Sequence, residues 1–214
     1  MIKKNNQSIP LKVIQTNNKH TYVKPQNGYL EIRLSKYTNI ETIKKRLLLK
    51  FDKYYTLTKP INDNQLYVWN QLYTLDIQQA DNDSYKIENG IIKVYSNKDI
   101  KLIKDLILEQ ELIRRLHKRL PEINKIIIKE GYDVVPIKLK KLKSKYGSYH
   151  LKKHEITLNT HLASYDVSCL DYVIYHEYTH QKHPHHQTSF YAALKKLYPT
   201  YKQAQKALKI NRIY

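Results

Sequence analysis

This chain has little cysteine, methionine, glycine or acid. Its 214 residues hold one Cys, one Met, one Trp and four Gly. The lone Cys169 excludes an internal disulfide framework and any site built from several thiolates. No apolar run approaches the roughly 20 residues of a membrane-spanning helix, so no membrane partner is expected. The start, Met1-Ile2-Lys3-Lys4-Asn5-Asn6-Gln7, lacks the apolar stretch of a signal peptide, and the expectation is a cytoplasmic protein. No segment reads as a long disordered tail. A hydrophobic fraction of 41% over this length suits a globular protein with a real core.

Acid is scarce relative to base: 19 Asp and Glu face 38 Lys and Arg, a formal net charge of +19. One reading is an electrostatic footprint for nucleic acid or another anionic partner. The other is biased usage, since Lys, Asn, Ile and Tyr are all abundant. The bases are spread out, with Lys138, Lys140, Lys141, Lys143 and Lys145 on one segment and Arg114, Arg115, Lys118 and Arg119 on another.

The first part of the chain alternates apolar and polar residues, as strands do. Leu11–Ile14, Tyr29–Leu34, Leu66–Trp69, Tyr73–Ile77 and Ile91–Tyr95 all read this way, with Asn27-Gly28 and Asn89-Gly90 as turns. A helix is expected over Ile40–Tyr54 behind Asn39 as N-cap. From Asp99 to Leu120 apolar residues recur at helical spacing. Pro121 is positioned to start a second helix ending before Gly131. Strands at Val134–Leu142 and Glu155–Asn159 follow, with Gly147 as a turn between them. Asp166 or Ser168 opens the next helix, Pro184 ends it, and Phe190–Leu197 and Tyr201–Leu208 close the chain. The fold class expected is α+β. A β-rich N-terminal region, 1–96, precedes a second domain, 97–214.

The chemistry concentrates in His176-Glu177-Tyr178-Thr179-His180, with His183, His185 and His186 just downstream. Residues four apart share one helical face, so His176 and His180 can offer their Nε2 atoms to one cation. Glu177 stands one step round, placed to take a proton from water rather than to bind metal. An H-E-x-x-H helix of this kind suits a hydrolytic zinc site, which needs a third ligand and one open position. His186 completes H-E-x-x-H-x(5)-H and is the favoured third ligand; His183, His185 or a distant carboxylate are the alternatives. The metzincin pattern has the same span but requires Gly where His183 stands. It also requires a later Met-turn, and Met1 is the only methionine. A structural zinc would favour four ligands with Cys and leave Glu177 without a role.

The segment from Lys143 to Leu208 resembles the YgjP-like metallopeptidases. Their pattern runs R-W-G-S-C, then I-x-L-N-x-x-L, then Y-V-I-x-H-E-L-x-H-x-x-x-x-N-H-x-x-x-F. Here it reads Lys145-Tyr146-Gly147-Ser148-Tyr149, then Ile156 to Leu162, then Tyr172 through His176, Glu177 and His180 to His185-His186 and Phe190. Tyr198-Pro199 also looks like the family's ending. Tyr146 and Tyr149 replace the Trp and Cys, and His185 replaces the Asn. The resemblance implies a zincin-like catalytic domain, one zinc ion on His176, His180 and His186, and Glu177 as the catalytic carboxylate. The family also looks related to the SprT and WLM zinc proteases, some of which act on DNA-bound proteins.

Zinc-dependent hydrolysis of a peptide or protein substrate is therefore the leading expectation. The Ile156–Asn159 strand is expected at the cleft edge, and Tyr146, Tyr149 and Tyr191 are candidate oxyanion donors. The rival is a basic nucleic-acid-binding or scaffolding protein with a structural or vestigial zinc site. A mixed form is a peptidase recruited to DNA-bound proteins.

Overall fold

The computed structural model describes residues 1–210. The fold is α+β, and the chain divides into two compact units, Met1–Asn62 and Asp63–Leu208. Each unit has its own buried apolar cluster.

The first unit begins with a hairpin, β1 (Ile2–Lys4) and β2 (Gln7–Ile9), turned by Asn5 and Asn6 at positive φ. Asn tolerates that conformation better than most side chains, as two-residue hairpin turns require. A three-stranded sheet follows: β3 (Leu11–Thr16), β4 (Tyr22–Gln26) and β5 (Tyr29–Ser35). β5 is central, parallel to β3 and antiparallel to β4. Leu30, Ile32 and Leu34 turn to one face and are buried with Ile43, Leu47 and Phe51.

The helix expected over residues 40–54 is two helices, α1 (Ile40–Leu48) and α2 (Phe51–Thr58). Asn39 caps α1 by accepting from the Glu41 N–H at 2.8 Å. The last turn of α1 tightens when the Lys50 N–H reaches the Leu47 carbonyl, and the break lets Phe51 enter the core.

The second unit opens with β6 (Gln65–Val68), β7 (Gln71–Gln78), β8 (Ser84–Glu88) and β9 (Ile91–Tyr95). Their order is β6-β7-β9-β8, with β7 and β9 parallel. α3 (Ile100–Lys129) follows, N-capped by Asp99. The expected domain boundary after residue 96 is not where the units divide. Leu66, Val68, Leu75, Ile92 and Val94 share one apolar cluster with Ile103, Ile107 and Leu112 of α3. Trp69 Nε1 and Tyr85 Oη also donate to Glu111 of α3, at 3.2 and 3.0 Å. A stretch of strands thus belongs with the helix that covers it.

α3 runs unbroken through Pro121, where a second helix was expected to begin. Proline removes one N–H from the ladder and clashes with the preceding turn, a cost of about 3 kcal/mol. Burial on both sides of it, at Leu112 and Leu116 and again at Ile123 and Ile127, offsets that cost. Gly131 stops the helix at φ +74°, as expected of a C′ glycine.

Beyond α3 lie β10 (Ile137–Lys140), β11 (Gly147–His150) and β12 (Glu155–Asn159). Then come a 3₁₀ turn at Thr160–Ser164, α4 (Val167–Thr179), α5 (Thr188–Leu197) and α6 (Tyr201–Ile210). Gly147, expected as a turn, is the first residue of β11. The sheet order is β10-β12-β11, so β12 is the centre and β11 an edge. This corrects the expectation that Ile156–Asn159 forms a cleft edge: both sides of that strand are already paired.

α4 is buried almost all round, including Cys169, Leu170, Val173, Ile174 and Tyr178. Cys169 is fully buried, and burial pushes its thiol up to about 12. The native protein should therefore label with a thiol reagent at least about 100-fold more slowly than the denatured chain. Rapid native labelling would show that α4 is not buried.

Candidate metal centre

α4 starts at Asp166, whose carboxylate accepts the Ser168 N–H at 2.9 Å. The helix ends at Thr179, with His180 as C-cap in a right-handed helical conformation. His176 and His180 keep their one-turn spacing, with ring centroids 5.0 Å apart. The chain then turns through residues 181–187. The His183 N–H donates to the Thr179 carbonyl at 3.0 Å, and Pro184 follows. This turn returns His186 to the helix end. Its ring centroid lies 4.8 Å from that of His176 and 4.9 Å from that of His180.

The Nε2 atoms of His176 and His186 are 2.9 Å apart. One ring nitrogen from each of His176, His180 and His186 falls within 4.8 Å of the others. Tetrahedral zinc–imidazole geometry asks for nitrogens about 3.3 Å apart, so the three fit one cation after small adjustments. Phe190 is fully buried beneath them, its ring centroid 4.7 to 4.9 Å from each imidazole.

The far nitrogens are also engaged. His180 Nδ1 lies 3.1 Å from the His183 carbonyl. His176 Nδ1 lies 3.4 Å from the Tyr172 hydroxyl, which accepts from Gln205 Nε2 at 3.1 Å. When Nδ1 donates to such an acceptor, the Nε2 lone pair is left for a metal. Burial, with the neighbouring imidazoles adding to it, lowers the His176 pKa to about 3. The His180 pKa is also lowered, chiefly by burial. Both rings are therefore neutral, the form that ligates.

Glu177 is buried at 6% exposure, and burial pushes its carboxyl up to about 7. The Tyr149 backbone N–H and the Lys145 charge oppose that rise. The carboxylate lies against β11. A Cβ on Gly147 would stand 3.0 Å from both Cγ and Oε1 of Glu177 and 2.8 Å from Val173 Cγ1. Gly147→Ala should therefore displace either β11 or Glu177. The expected result is a loss of activity on the order of 100-fold with metal content unchanged. Unaltered turnover would show that this contact does not set the Glu177 position.

Asn159 holds the approach to β11. Its Nδ2 donates to the carbonyls of Leu142 and Lys145, each at 2.8 Å, and its Oδ1 accepts from the His161 N–H at 3.1 Å. The Asn of the I-x-L-N stretch thus clamps the loop that leads to Gly147.

The other predicted residues divide clearly. His183 lines a separate cleft with Tyr132, Lys182 and Lys196, and its carbonyl meets His180. His185 is exposed and stands outside the three-histidine cluster. Tyr146 donates to the Leu208 carbonyl and packs edge-on against Tyr165. Tyr149 pairs with His154 Nδ1 at 3.0 Å. Tyr191 lies near the cluster, its ring 6.3 Å from His186, in an open cleft of about 880 Å³ that His186 and Tyr201 also line. Tyr172 and Gln205 were not foreseen. Tyr172 had a usable signal, since it precedes His176 by one helical turn; Gln205 had none.

Among the described residues, no helix is long and apolar enough to cross a membrane. The comparison with curated proteins gives no match. Two of the solved structures that are similar over part of the chain are metallopeptidase zymogens. One is the metallopeptidase zymogen of Pyrococcus abyssi abylysin, 21% identical, covering 42% of this chain and 90% of its own at a TM-score of 0.39. The other is the metallopeptidase zymogen of Methanocaldococcus jannaschii jannalysin, 27% identical, covering 41% and 88% at a TM-score of 0.35. The YgjP-like metallopeptidase domain matches residues 31–211, most of the sequence. The chain belongs to the YgjP-like metallopeptidase family.

Proposed function

We propose that this metallopeptidase is a zinc enzyme of the H-E-x-x-H type, with His176, His180 and His186 as ligands and Glu177 as general base. The observation that carries the reading is the convergence of three imidazole nitrogens beside one buried carboxylate. Neutral imidazoles suit zinc, and among the described residues the candidate ligand group is these three histidines.

When zinc is bound, the chemistry it supplies is acidification of a water and polarisation of the scissile carbonyl. Glu177 receives the proton of the attacking water and passes it to the leaving amine nitrogen. Its carboxyl suits that exchange because burial raises its pKa, while a nearby cation draws it back down. The Tyr149 N–H holds one side of the carboxylate. Tyr172, Gln205 and the His183 carbonyl keep the imidazoles in their ligating tautomers.

β11 is the natural seat for substrate. The Asn159 N–H donates to the Tyr146 carbonyl at 2.8 Å, which sets the ladder alternation. On an antiparallel strand the next residue and the third then turn their N–H and C=O groups outward. Gly147 and Tyr149 are those residues, on the edge beside Glu177; as Glu177 takes the Tyr149 N–H, both groups of Gly147 and the Tyr149 carbonyl remain for a partner strand. An extended peptide can pair there as an added strand. Tyr191 is the tyrosine best placed to meet the developing oxyanion, given its position beside His186.

The test is hydrolysis of a mixed peptide library by purified protein. Activity should vanish on chelation and return with stoichiometric zinc. Full activity in the chelated, metal-free protein would refute the proposal.

A further inference from the structure

The basic charge is concentrated in the small first unit. Met1–Asn62 contains thirteen Lys and Arg but only three acids, Glu31, Glu41 and Asp52. All three are paired within the unit, with Arg33, Lys44 and Lys4 respectively. The larger unit, Asp63–Leu208, holds twenty-three bases against sixteen acids. The excess of base is therefore densest in the first unit.

The three-stranded sheet of this unit gives the charge a shape. Leu30, Ile32 and Leu34 point into the core, so Tyr29, Glu31 and Arg33 occupy the opposite face of β5. Residues directly across a ladder share a face. Register then sets Lys12 and Lys24 on either side of Glu31, Ile14 and Tyr22 on either side of Arg33, and Gln26 beside Tyr29. Lys12 and Arg33 are exposed, and Tyr22 is 55% exposed. Just past β5, Lys36 stands 5.1 Å from the ring of Tyr37, itself 73% exposed.

We propose that this open sheet face binds single-stranded nucleic acid. The chemistry needed is cations for successive phosphates and aromatic faces for unstacked bases, on a surface wide enough for both. Neighbouring strands lie about 4.8 Å apart, so Arg33 and Tyr22 stand side by side, and Lys12 and Lys24 flank Glu31 in the next row. A duplex offers phosphates but hides its base faces, which leaves Tyr22 and Tyr29 unused. The inference does not depend on the peptidase reading, because it involves none of the residues of the metal centre.

The experiment is fluorescence anisotropy with the full chain at low salt. The probes are oligothymidine and oligouridine of about 20 nucleotides, a duplex of equal length, and vesicles containing anionic lipid. Single strands should bind most tightly, and their affinity should fall steeply with added salt. Tyr22→Ala should weaken binding about ten-fold or more, while Tyr22→Phe, which keeps the ring, should bind as the parent does.

The paired change Lys12→Glu with Arg33→Glu should reduce binding beyond detection. Lys45→Glu with Arg46→Glu makes the same charge change on exposed positions of α1, and should cost less than about three-fold. Circular dichroism checks that each variant is folded. Equal losses from the α1 pair and the sheet pair would overturn the proposal. So would tighter binding to duplex or vesicles, or a folded Tyr22→Ala at parent affinity.

Discussion

Replacing Glu177 with Gln should leave zinc content at the parent level and lower kcat by about 1,000-fold or more. The side chain is 6% exposed and closely surrounded, and Gln fills the same volume. Its amide oxygen can still accept the Tyr149 N–H that the carboxylate accepts. Folding and metal binding should therefore survive, while proton transfer is lost because an amide cannot accept a proton near neutral pH. The readout separates the mechanism from its rival. A scaffold with a structural zinc would be indifferent to this change in every assay. Metal analysis by mass spectrometry with steady-state kinetics decides it. Turnover within ten-fold of the parent would remove Glu177 from the chemistry.

His186→Ala should cost the metal itself. His186 is exposed, so its ring contributes little to the core, and circular dichroism should be unchanged. Yet its Nε2 is 2.9 Å from that of His176, and without it the cluster has only two nitrogens. Losing an outer partner of a metal ligand costs roughly 10–100-fold in affinity, and losing a ligand should cost more than that. Zinc affinity should drop by at least about 1,000-fold, measured by competition with a chelating dye. His185→Ala and His183→Ala are the matched controls. The first removes an exposed ring, and the second keeps the carbonyl that meets His180. Full zinc occupancy in His186→Ala, or loss of zinc in His185→Ala, would reassign the third ligand.

The reach of sequence reasoning here follows the range of the interactions involved. The spacing of His176 and His180 is a helical repeat, written within five residues, and the structure keeps it. The N-cap of α4 at Asp166 and the stop at Gly131 are equally local. Three of the readings that the structure corrects turned on a distant partner. Pro121 was read as a helix start from its own backbone preference, but the apolar residues on both sides of it bury in one core. The strands of residues 65–95 were grouped with the N-terminal strands by likeness, although they bury against α3. The alternation of Ile156–Asn159, expected at an edge, says nothing about how many neighbours the strand has.

What the sequence determined by itself is the set of chemical groups and their placement along one helical turn: two imidazoles four residues apart with a carboxylate beside them. The hydrogen bonds of a helix are local, so that placement needs no knowledge of the rest. Only the tertiary structure decided what surrounds them. It put Gly147 against Glu177, made β11 the open edge, and brought Gln205 to Tyr172. It also gathered Lys12, Lys24, Arg33, Tyr22 and Tyr29 on one sheet face. Strand order and helix packing are pairings between residues far apart in the chain, selected by total burial. No local pattern carries that information.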